Sequence, residues 1–499
     1  MPLLVTDPVT ILGALVFTVV GAYIYQGLTN PLRNIPGPWY TKFTTLPSTF
    51  YVMTAKHPAW TLTHPQPGPI VRISPYEADT SSIPAVKLVH NATMKSQPFL
   101  KSPFYSTLIT DSDSVFNTIH PANHRKYKRL LSSPMSESGL KAFLPQIDAQ
   151  VRLAMTKIRE EDDGPRGVAD VAKWFMFLSF DVIGELTFGE SFGNLEHGRK
   201  NRSVDDFVSL GYVGGLRSMF PVISKISTVL PIPVFRDATE IQWRTFEYAE
   251  RALEKHRKMV EKHHAESGGA VKTDPKPTVF SKLYNAEHEE TWTQKEIRDN
   301  AQVFIVGGSD TTANSMIYLV WAVCQHPEIK QKLLKELSNL PEGWGYDELR
   351  DLPYLNCIVN ETLRLHTALP CGLPRIVPPG GCELAGHFVT GGATVTTQAY
   401  SLHRDVEAFP DPYRFYPERW ENTTQRMKDC IMPFGGGGRT CLGRHLARIE
   451  LRLITARFFL NFPNAVVSHK EGMSDKDMEM ALYFLMVPSG HRCLIQKEA

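Results

Sequence analysis

A helix long enough to cross an entire domain is written into residues 293–324. Thr293-Gln294-Lys295-Glu296 has the S/T-x-x-E pattern of a helix capping box, and it opens an apolar run that continues to about Cys324. As one helix this run measures about 45–50 Å at 1.5 Å per residue, which fits only a helix that traverses a whole domain. Its middle reads Gly307-Gly308-Ser309-Asp310-Thr311-Thr312. Two glycines inside a helix cost about 1 kcal/mol each relative to alanine, a cost that makes sense if something large presses against the backbone. Asp310 and Thr311 then lie where a loosened turn admits water and relays protons. On its own the stretch also reads as a capping Asp-Thr pair at a helix break.

A second stretch offers a metal ligand. Pro433-Phe434-Gly435-Gly436-Gly437-Gly438-Arg439-Thr440-Cys441-Leu442-Gly443 carries a thiol on a glycine-rich loop, two residues after an arginine. Leu446, Ile449, Leu451, Leu453 and Ile454 follow with helical spacing. A helix N-terminus favours an anion and Arg439 adds positive charge, so both are expected to lower the thiol pKa. The glycines let backbone N–H groups approach the sulfur, which tunes a bound metal. The bland alternative is a buried or free cysteine in a turn.

The spacing Phe434-x-x-Gly437-x-Arg439-x-Cys441-x-Gly443 resembles the haem-binding loop of the cytochrome P450 family. At ordinary residue frequencies it arises by chance in roughly one chain of this length in ten thousand, which outweighs the bland reading. The resemblance implies haem b with Cys441 as its axial thiolate, a ligand that pushes electron density towards iron and favours O–O cleavage. It implies that Phe434 packs near the sulfur, that Arg439 faces a haem propionate, and that Gly437 and Gly443 are cofactor-binding positions. Residues 307–312 match the family's (Ala/Gly)-Gly-x-(Asp/Glu)-Thr-(Thr/Ser) pattern. That match implies Asp310 as proton-relay acid and Thr311 as hydrogen-bond partner of bound dioxygen. Gly438 and His445 depart from the commonest residues of the loop without threatening ligation.

Glu361-Thr362-Leu363-Arg364 places a carboxylate and a guanidinium on one helix face. Alone, such a pair is usually solvated and worth little. Leu355, Ile358, Val359, Leu363 and Leu365 favour a buried role. Pro417-Glu418-Arg419-Trp420 stands downstream, and the family pairs an E-x-x-R helix with such an arginine. Glu361, Arg364 and Arg419 are therefore expected to form a structural network supporting the cysteine loop. Losing one partner would strand a buried charge, at about 3–5 kcal/mol. Pro374-Arg375 follows at the family's spacing, which implies that Arg375 pairs with a propionate. His124-Arg125-Lys126-Tyr127-Lys128-Arg129 matches the helix that carries an aromatic residue or His and a basic residue four later. His124 and Lys128 are taken, with Arg129 the competitor of Lys128 and a solvated basic face the alternative.

Hydrophobic residues make up 42% of the 499, ample for a sizeable core. A net charge of +2 gives no argument for nucleic acid. The seven cysteines are odd in number, scattered and without a CxxC pair. This argues against a disulfide framework or a zinc site and for a reducing compartment. Val9 to Leu28 holds no charged residue and is long enough to span a bilayer. Asp7 and the absence of Lys or Arg before it disfavour a cleaved signal peptide, and Arg33 and Lys42 after it place the C-terminal side in the cytoplasm. Asn30 to Trp39 is a stiff proline-rich hinge. Sequons stand at Asn91, Asn201, Asn360 and Asn422. Glycosylation beside Glu361 would be disruptive, which again favours a cytoplasmic domain.

No repeat of fixed period occurs. Residues 40–100 alternate short apolar runs with Pro and Gly and read as strand-rich. Residues 120–330 read as helical, with Ser179 to Gly189 buried and Asp237 to His264 a long charged helix. Ala265 to Pro277 reads as an exposed loop. Hairpins are expected over 379–400 and around Leu482 to Cys493. Helices dominate and strands cluster, so the fold class is mainly α (α+β). The resemblance implies the cytochrome P450 fold, a helix-rich domain with a small β-rich region behind an N-terminal transmembrane helix. The expected divisions are anchor 1–29, hinge 30–39 and haem-thiolate domain 40–499. Neither a GxGxxG after a strand nor a phosphate-binding GxxxxGK[ST]-type loop is present.

The resemblance covers Ile35 to about Cys493. It implies a membrane-anchored monooxygenase that hydroxylates or otherwise oxidises a lipophilic small molecule, in the style of fungal secondary-metabolite enzymes. No reductase is fused to the chain. A separate NADPH-cytochrome P450 reductase is therefore expected, with cytochrome b5 as a further candidate donor and NADPH acting only through that partner. Arg439, Arg444 and Arg448 are the expected docking face. The expected location is the endoplasmic reticulum membrane, single-pass, with the catalytic domain facing the cytoplasm. Two rivals stand beside this reading. One is a reductase-independent haem-thiolate isomerase or lyase, whose members tend to lack the acid–threonine pair. The other is a non-catalytic haem-binding protein, which needs no proton relay. Phe99, Leu100, Phe104, Tyr105, Val303, Phe304, Ala368, Leu369, Tyr483 and Phe484 each read as pocket or core, and a mid-sized apolar polyketide, terpenoid or alkaloid fits them. Leu230 to Phe235 is an apolar loop suited to dip into lipid.

Overall fold

The computed structural model describes residues 8–63, 68–90, 98–227, 233–266, 276–281 and 292–498. The chain divides into two compact units. One comprises Met1–Ser102, Pro370–Leu402 and Gly435–Arg439, and the other Pro103–Leu369, His403–Phe434 and Thr440–Ala499.

The first unit begins with α1 (Pro8–Thr29), apolar, exposed from Val9 to Tyr25 and long enough to cross a membrane. Asn30 closes it. Its Nδ2 donates to the carbonyls of Gln26 (3.2 Å), Gly27 (3.1 Å) and Lys42 (3.1 Å), and its Oδ1 accepts from Leu32 N–H at 3.0 Å. These bonds satisfy carbonyls that a helix end leaves orphaned. The proline-rich segment beyond is pinned by Arg72, which is 1% exposed. Its guanidinium donates to the carbonyls of Leu32 (3.3 Å), Gly37 (3.3 Å) and Pro38 (3.0 Å), and to Thr41 Oγ1 at 3.1 Å.

Five strands form the sheet of this unit: β1 (Ile70–Ser74), β2 (Glu77–Thr80), β3 (Leu100–Lys101), β4 (Arg375–Ile376) and β5 (Thr394–Thr396). Their spatial order is β1-β2-β5-β4-β3, with only the β2–β5 pair parallel. Lys101 lies directly opposite Arg375. The core gathers Leu32, Ile35, Ile70, Ala78, Val377, Val389 and Val395. Residues 40–100 are less strand-rich than their sequence reads. Helices Leu46–Met53, His57–Leu62 and Ile83–Val89 occupy much of the span, each with proline in its first turn. Pro47, Pro58 and Pro84 start helices, where their missing N–H costs nothing. The hairpin expected over 379–400 is formed by Cys382–Leu384 and His387–Val389.

The second unit is built of helices. Those that frame the site are α2 (Phe104–Leu108), α3 (Pro121–Ser132), α4 (Val171–Phe188), α5 (Pro233–Glu266), α6 (Gln294–Gln325), α7 (Pro353–Leu365) and α8 (Arg444–Asn461). The predicted capping box is present, with Thr293 and Glu296 each bonded to the other's backbone N–H. From there α6 runs 32 residues without interruption, so no helix break occurs at 307–312. α4 is buried over almost its whole length and stops at Gly189, whose φ of 73° suits a residue without Cβ. The C-terminal hairpin, β6 (Met480–Leu482) and β7 (Met486–Pro488), is shorter than expected. Pro488 lacks an N–H to continue the ladder, and Leu494–Lys497 pairs instead with Ala465–Val467 and Ala169–Asp170. Residues 267–275 of the expected loop, Leu230–Ile232 and the Asn91 sequon lie outside the described residues. The fold is helix-rich with small sheets, as expected.

Candidate active site

The middle of α6 opens on one side. Gly307 is exposed between buried Ile305 and Ser309, and a Cβ placed on it would meet nothing within 4 Å. Gly308 does something else: a Cβ there would lie 2.8 Å from Ile183, so this glycine permits the close approach of α6 to α4. The expectation that both glycines yield to one large object is corrected accordingly. Thr311 stands one turn after Gly307 on the same face, and its Oγ1 donates to the Gly307 carbonyl at 2.7 Å. Asn314 and Ser315 donate likewise to the carbonyls of Asp310 and Thr311, both at 2.8 Å. Such back-bonding loosens a helix without ending it. Asp310 Oδ1 is buried without a hydrogen-bond partner. Burial raises this carboxyl to about 6, against the lowering effect of Lys200.

Cys441 stands three residues before α8, and its N–H donates to the Phe434 carbonyl at 2.9 Å, closing the loop. Its side chain is accessible. The expected lowering of the thiol pKa does not prevail. Desolvation raises it, opposed by the backbone N–H groups of Gly443 and Arg444 and by the Arg444 charge. The cation that acts on the sulfur is thus Arg444 rather than Arg439. A metal ion at the sulfur would invert this balance. A Cβ on Gly443 would sit 3.7 Å from the Cys441 sulfur, an ordinary contact. Arg448 is not a free docking charge: its Nη1 donates to Asn360 Oδ1 at 3.0 Å, its guanidinium lies 5.6 Å from the Phe434 ring centroid, and burial depresses it to about 10. Arg444 remains exposed.

Glu361, Arg364 and Arg419 come together as expected. Arg364 Nε and Nη2 donate to the two oxygens of Glu361 at 2.9 and 2.8 Å, and Arg419 Nε donates to Oε1 at 3.1 Å. Trp420 Nε1 and the Tyr416 N–H, both at 2.9 Å, complete the carboxylate's shell. Arg364 also donates to the carbonyls of His403 (2.8 Å), Pro412 (2.7 Å) and Arg414 (3.2 Å). The sequence reading gave Trp420 no role, although a tryptophan beside Arg419 brings an indole N–H that needs a partner when buried.

In the first unit, Arg375 is 3% and Lys101 7% exposed, side by side across β4 and β3. Like charges in such cross-strand positions destabilise a sheet. Burial and the charges of Arg375 and Arg439 hold Lys101 well below the ordinary lysine range. Gly437 explains how Arg439 reaches this unit. Its φ is 61°, and a Cβ would fall on the His90 carbonyl oxygen. Lys101 was invisible to sequence reasoning because it belongs to no motif; only the strand register puts it beside Arg375.

On α3, His124 is buried, Lys128 one turn later is half-buried, and Arg129 faces outward. The helix is tied to the start of α6 by Lys126 and Glu296, 2.6 Å apart. Of the pocket candidates, Phe99 belongs to the first unit's core and Phe304 packs edge-on against Phe280 at 5.4 Å. Val303, Phe104, Tyr105 and Phe484 form one cluster with Phe116, a residue not anticipated.

The profile of the family described as Cytochrome P450 matches residues 46–494. The chain belongs to the cytochrome P450 family. Its relatives include the cytochrome P450 monooxygenase tazI of Aspergillus terreus, 42% identical over 96% of this chain and 97% of that protein. Two from Aspergillus niger are each 36% identical: orf2, over 95% of this chain and 94% of its own, and azaI, over 86% and 94%. This cytochrome P450 is a monooxygenase, and the cofactor of its family is haem held by a thiolate. The residues present suit that group. The second unit offers an accessible thiol at a helix start and a helix face bared at Gly307 beside an unpaired buried carboxyl oxygen.

Proposed function

We propose that this cytochrome P450 is anchored in the endoplasmic reticulum membrane and oxidises a lipophilic small molecule of fungal secondary metabolism, with electrons from a separate NADPH-dependent reductase. The observation that carries this reading is the composition of one compact unit. It holds an accessible Cys441 at the start of α8 and an uninterrupted α6 with bare Gly307, unpaired Asp310 and Thr311. Haem bound at Cys441 would supply dioxygen activation. Phe434, Gly437 and Gly443 would shape the ligand loop, Arg439 and Arg375 would each face a propionate, and His124 and Lys128 would be further cofactor-binding residues.

Asp310 suits proton delivery, because a carboxyl held near 6 both keeps and releases a proton close to neutral pH. The Thr311 hydroxyl, now donating to Gly307, has two acceptor lone pairs and one rotatable proton, so it can hand a proton onward on the open face. Glu361, Arg364 and Arg419 would act structurally. Residues 1–29 would be the anchor, 30–39 the hinge and 40–499 the catalytic domain facing the cytoplasm. Exposed Arg444 and a polar hollow lined by Arg350, His445 and Arg452, with Glu137 and Asp351, suit an acidic redox partner, a reductase or cytochrome b5.

The test is a ferrous-CO difference spectrum followed by NADPH consumption with added reductase. A thiolate-type Soret shift and reductase-dependent NADPH use are expected. Absence of the shift would sink the haem-thiolate reading. A shift with peroxide rearrangement and no NADPH use would make the protein an isomerase, a reading that Asp310 and Thr311 disfavour.

A further inference from the structure

We propose that Phe104, Phe116 and Phe484 form a rigid aromatic wall that makes the site selective for planar aromatic substrates. The inference rests on the monooxygenase reading and adds the substrate class. The rings interlock: Phe104 and Phe484 lie 5.8 Å apart between centroids, and Phe116 and Phe484 6.3 Å apart at 73°. Tyr105 joins them edge-on, 5.5 Å from Phe104 and 5.7 Å from Phe116. Tyr105, Leu108, Ile109 and Val303 form the buried base of the cluster, whereas the three phenylalanines are only partly buried, and the cluster contains no charged side chain.

The position of the cluster gives it a function. Val303, Gly307 and Thr311 stand at i, i+4 and i+8 of α6, on one face. The rings pack on Val303, one turn before the bare glycine and two before the hydroxyl assigned to proton transfer. A substrate resting against them would extend along the face that carries Thr311.

The wall is also held in place. Phe116 sits in a loop bolted to the first turns of α6: Asp299 Oδ2 accepts from Asp113 N–H at 3.0 Å and Asn300 Oδ1 from Val115 N–H at 2.9 Å. Asn117 Nδ2 braces the same loop through the Ser112 carbonyl at 2.8 Å. Phe484 lies at the tip of the β6–β7 hairpin, which Met486 N–H ties to the Ala368 carbonyl at 2.9 Å. Rings fixed before binding lose little freedom on contact. Offset or edge-to-face contact with another ring then adds about two- to ten-fold in affinity per contact beyond what burial of area gives. A saturated ring of the same size gains the area and forgoes that term.

The experiment uses the full-length, haem-loaded enzyme in microsomes and reads substrate-induced shifts of the Soret band. The probes are 2-naphthol and decahydro-2-naphthol, which share ring count and hydroxyl and differ in planarity and π-electrons. Tighter binding of 2-naphthol is expected. Phe484→Leu and Phe116→Leu should each weaken 2-naphthol about two- to ten-fold while leaving the saturated probe within about two-fold, and Phe484→Tyr should restore the preference. Equal weakening of both probes, unchanged affinities, or no saturable binding of 2-naphthol to the wild type would overturn the proposal. Should one leucine variant fail to take up haem, Phe104→Leu replaces it under the same criteria. A wild-type enzyme without the ferrous-CO thiolate band would instead overturn the monooxygenase reading, so the two failures are distinguishable.

Discussion

Glu361 and Arg364 meet through two parallel hydrogen bonds, 2.9 and 2.8 Å, with neither side chain exposed. Arg419, 7% exposed, bonds the same carboxylate. Two buried cations therefore share one anion, and the pair's remaining donors are satisfied by backbone carbonyls. Glu361→Gln keeps the shape and removes the charge, leaving both guanidinium groups uncompensated. The expected loss is about 3–5 kcal/mol of stability, read as a lowered urea midpoint and reduced haem content per folded protein. Arg364→Lys should fare little better, because a lysine cannot reproduce the fork that bridges Glu361 to His403, Pro412 and Arg414. An unchanged midpoint in Glu361→Gln would mean that the network contributes no net stability.

Gly437→Ala tests the glycine-rich stretch that leads to Cys441. The residue has φ 61°, and an added Cβ would fall on the His90 carbonyl oxygen. The backbone must shift, and with it Arg439, two residues on. Strain of this kind costs on the order of 1–3 kcal/mol, so the variant should fold but hold haem less tightly. The check is the rate of haem transfer to excess apomyoglobin, expected to rise several-fold. Gly443→Ala is the control: its Cβ makes only ordinary contact with the Cys441 sulfur, and transfer should change little.

The parts of this fold legible in the sequence are those fixed by local chemistry. The Thr293–Glu296 capping box specified the start of α6, and the apolar period after Gly443 specified α8. Glu361, Arg364 and Arg419 were legible through spacing, and the structure joins them. What stayed hidden depends on partners distant in sequence. Gly308 is explained by Ile183, Lys101 by its register with Arg375, and Phe116 by a loop that Asp299 and Asn300 hold. Prolines misled because the same residue breaks a strand and starts a helix, and Pro47, Pro58 and Pro84 do the latter. The thiol pKa was misjudged because helix dipole and charge are visible in a sequence and desolvation is not.

Glu450 on α8 predicts a pH dependence. Its carboxyl is 2% exposed, one oxygen has no hydrogen-bond partner, and burial pushes it up to about 8 from an ordinary value of 4.5. Between those values the folded state binds more protons than the unfolded state, so stability falls as pH rises. Glu450→Gln stays neutral throughout and should lose less. The two stability curves should separate between about pH 5 and 8, by on the order of 2–4 kcal/mol at the upper end. Glu77 and Asp79, both raised by burial to about 7, act in the same direction but are common to both proteins. Urea denaturation at stepped pH is the measurement, and parallel curves would show that Glu450 is ionised and solvated at neutral pH.

Thr311→Ala separates cofactor binding from proton delivery. Among the described residues the hydroxyl is bonded only within its own helix, to Gly307 at 2.7 Å, so its removal strands no distant partner there and should leave α6 intact. The ferrous-CO spectrum should be unchanged. What should change is the fate of the electrons, because a missing proton-transfer group slows the step that depends on it by about a hundred- to ten-thousand-fold. NADPH consumption should continue while hydrogen peroxide replaces oxidised product. Asp310→Asn should give the same uncoupling, and it should also flatten the dependence of coupling on pH around 6, since the group that titrates there is gone. The measurement is the ratio of product and peroxide to NADPH consumed, taken across pH with saturating reductase. Full coupling in Thr311→Ala would reassign proton delivery to another group on the same face of α6.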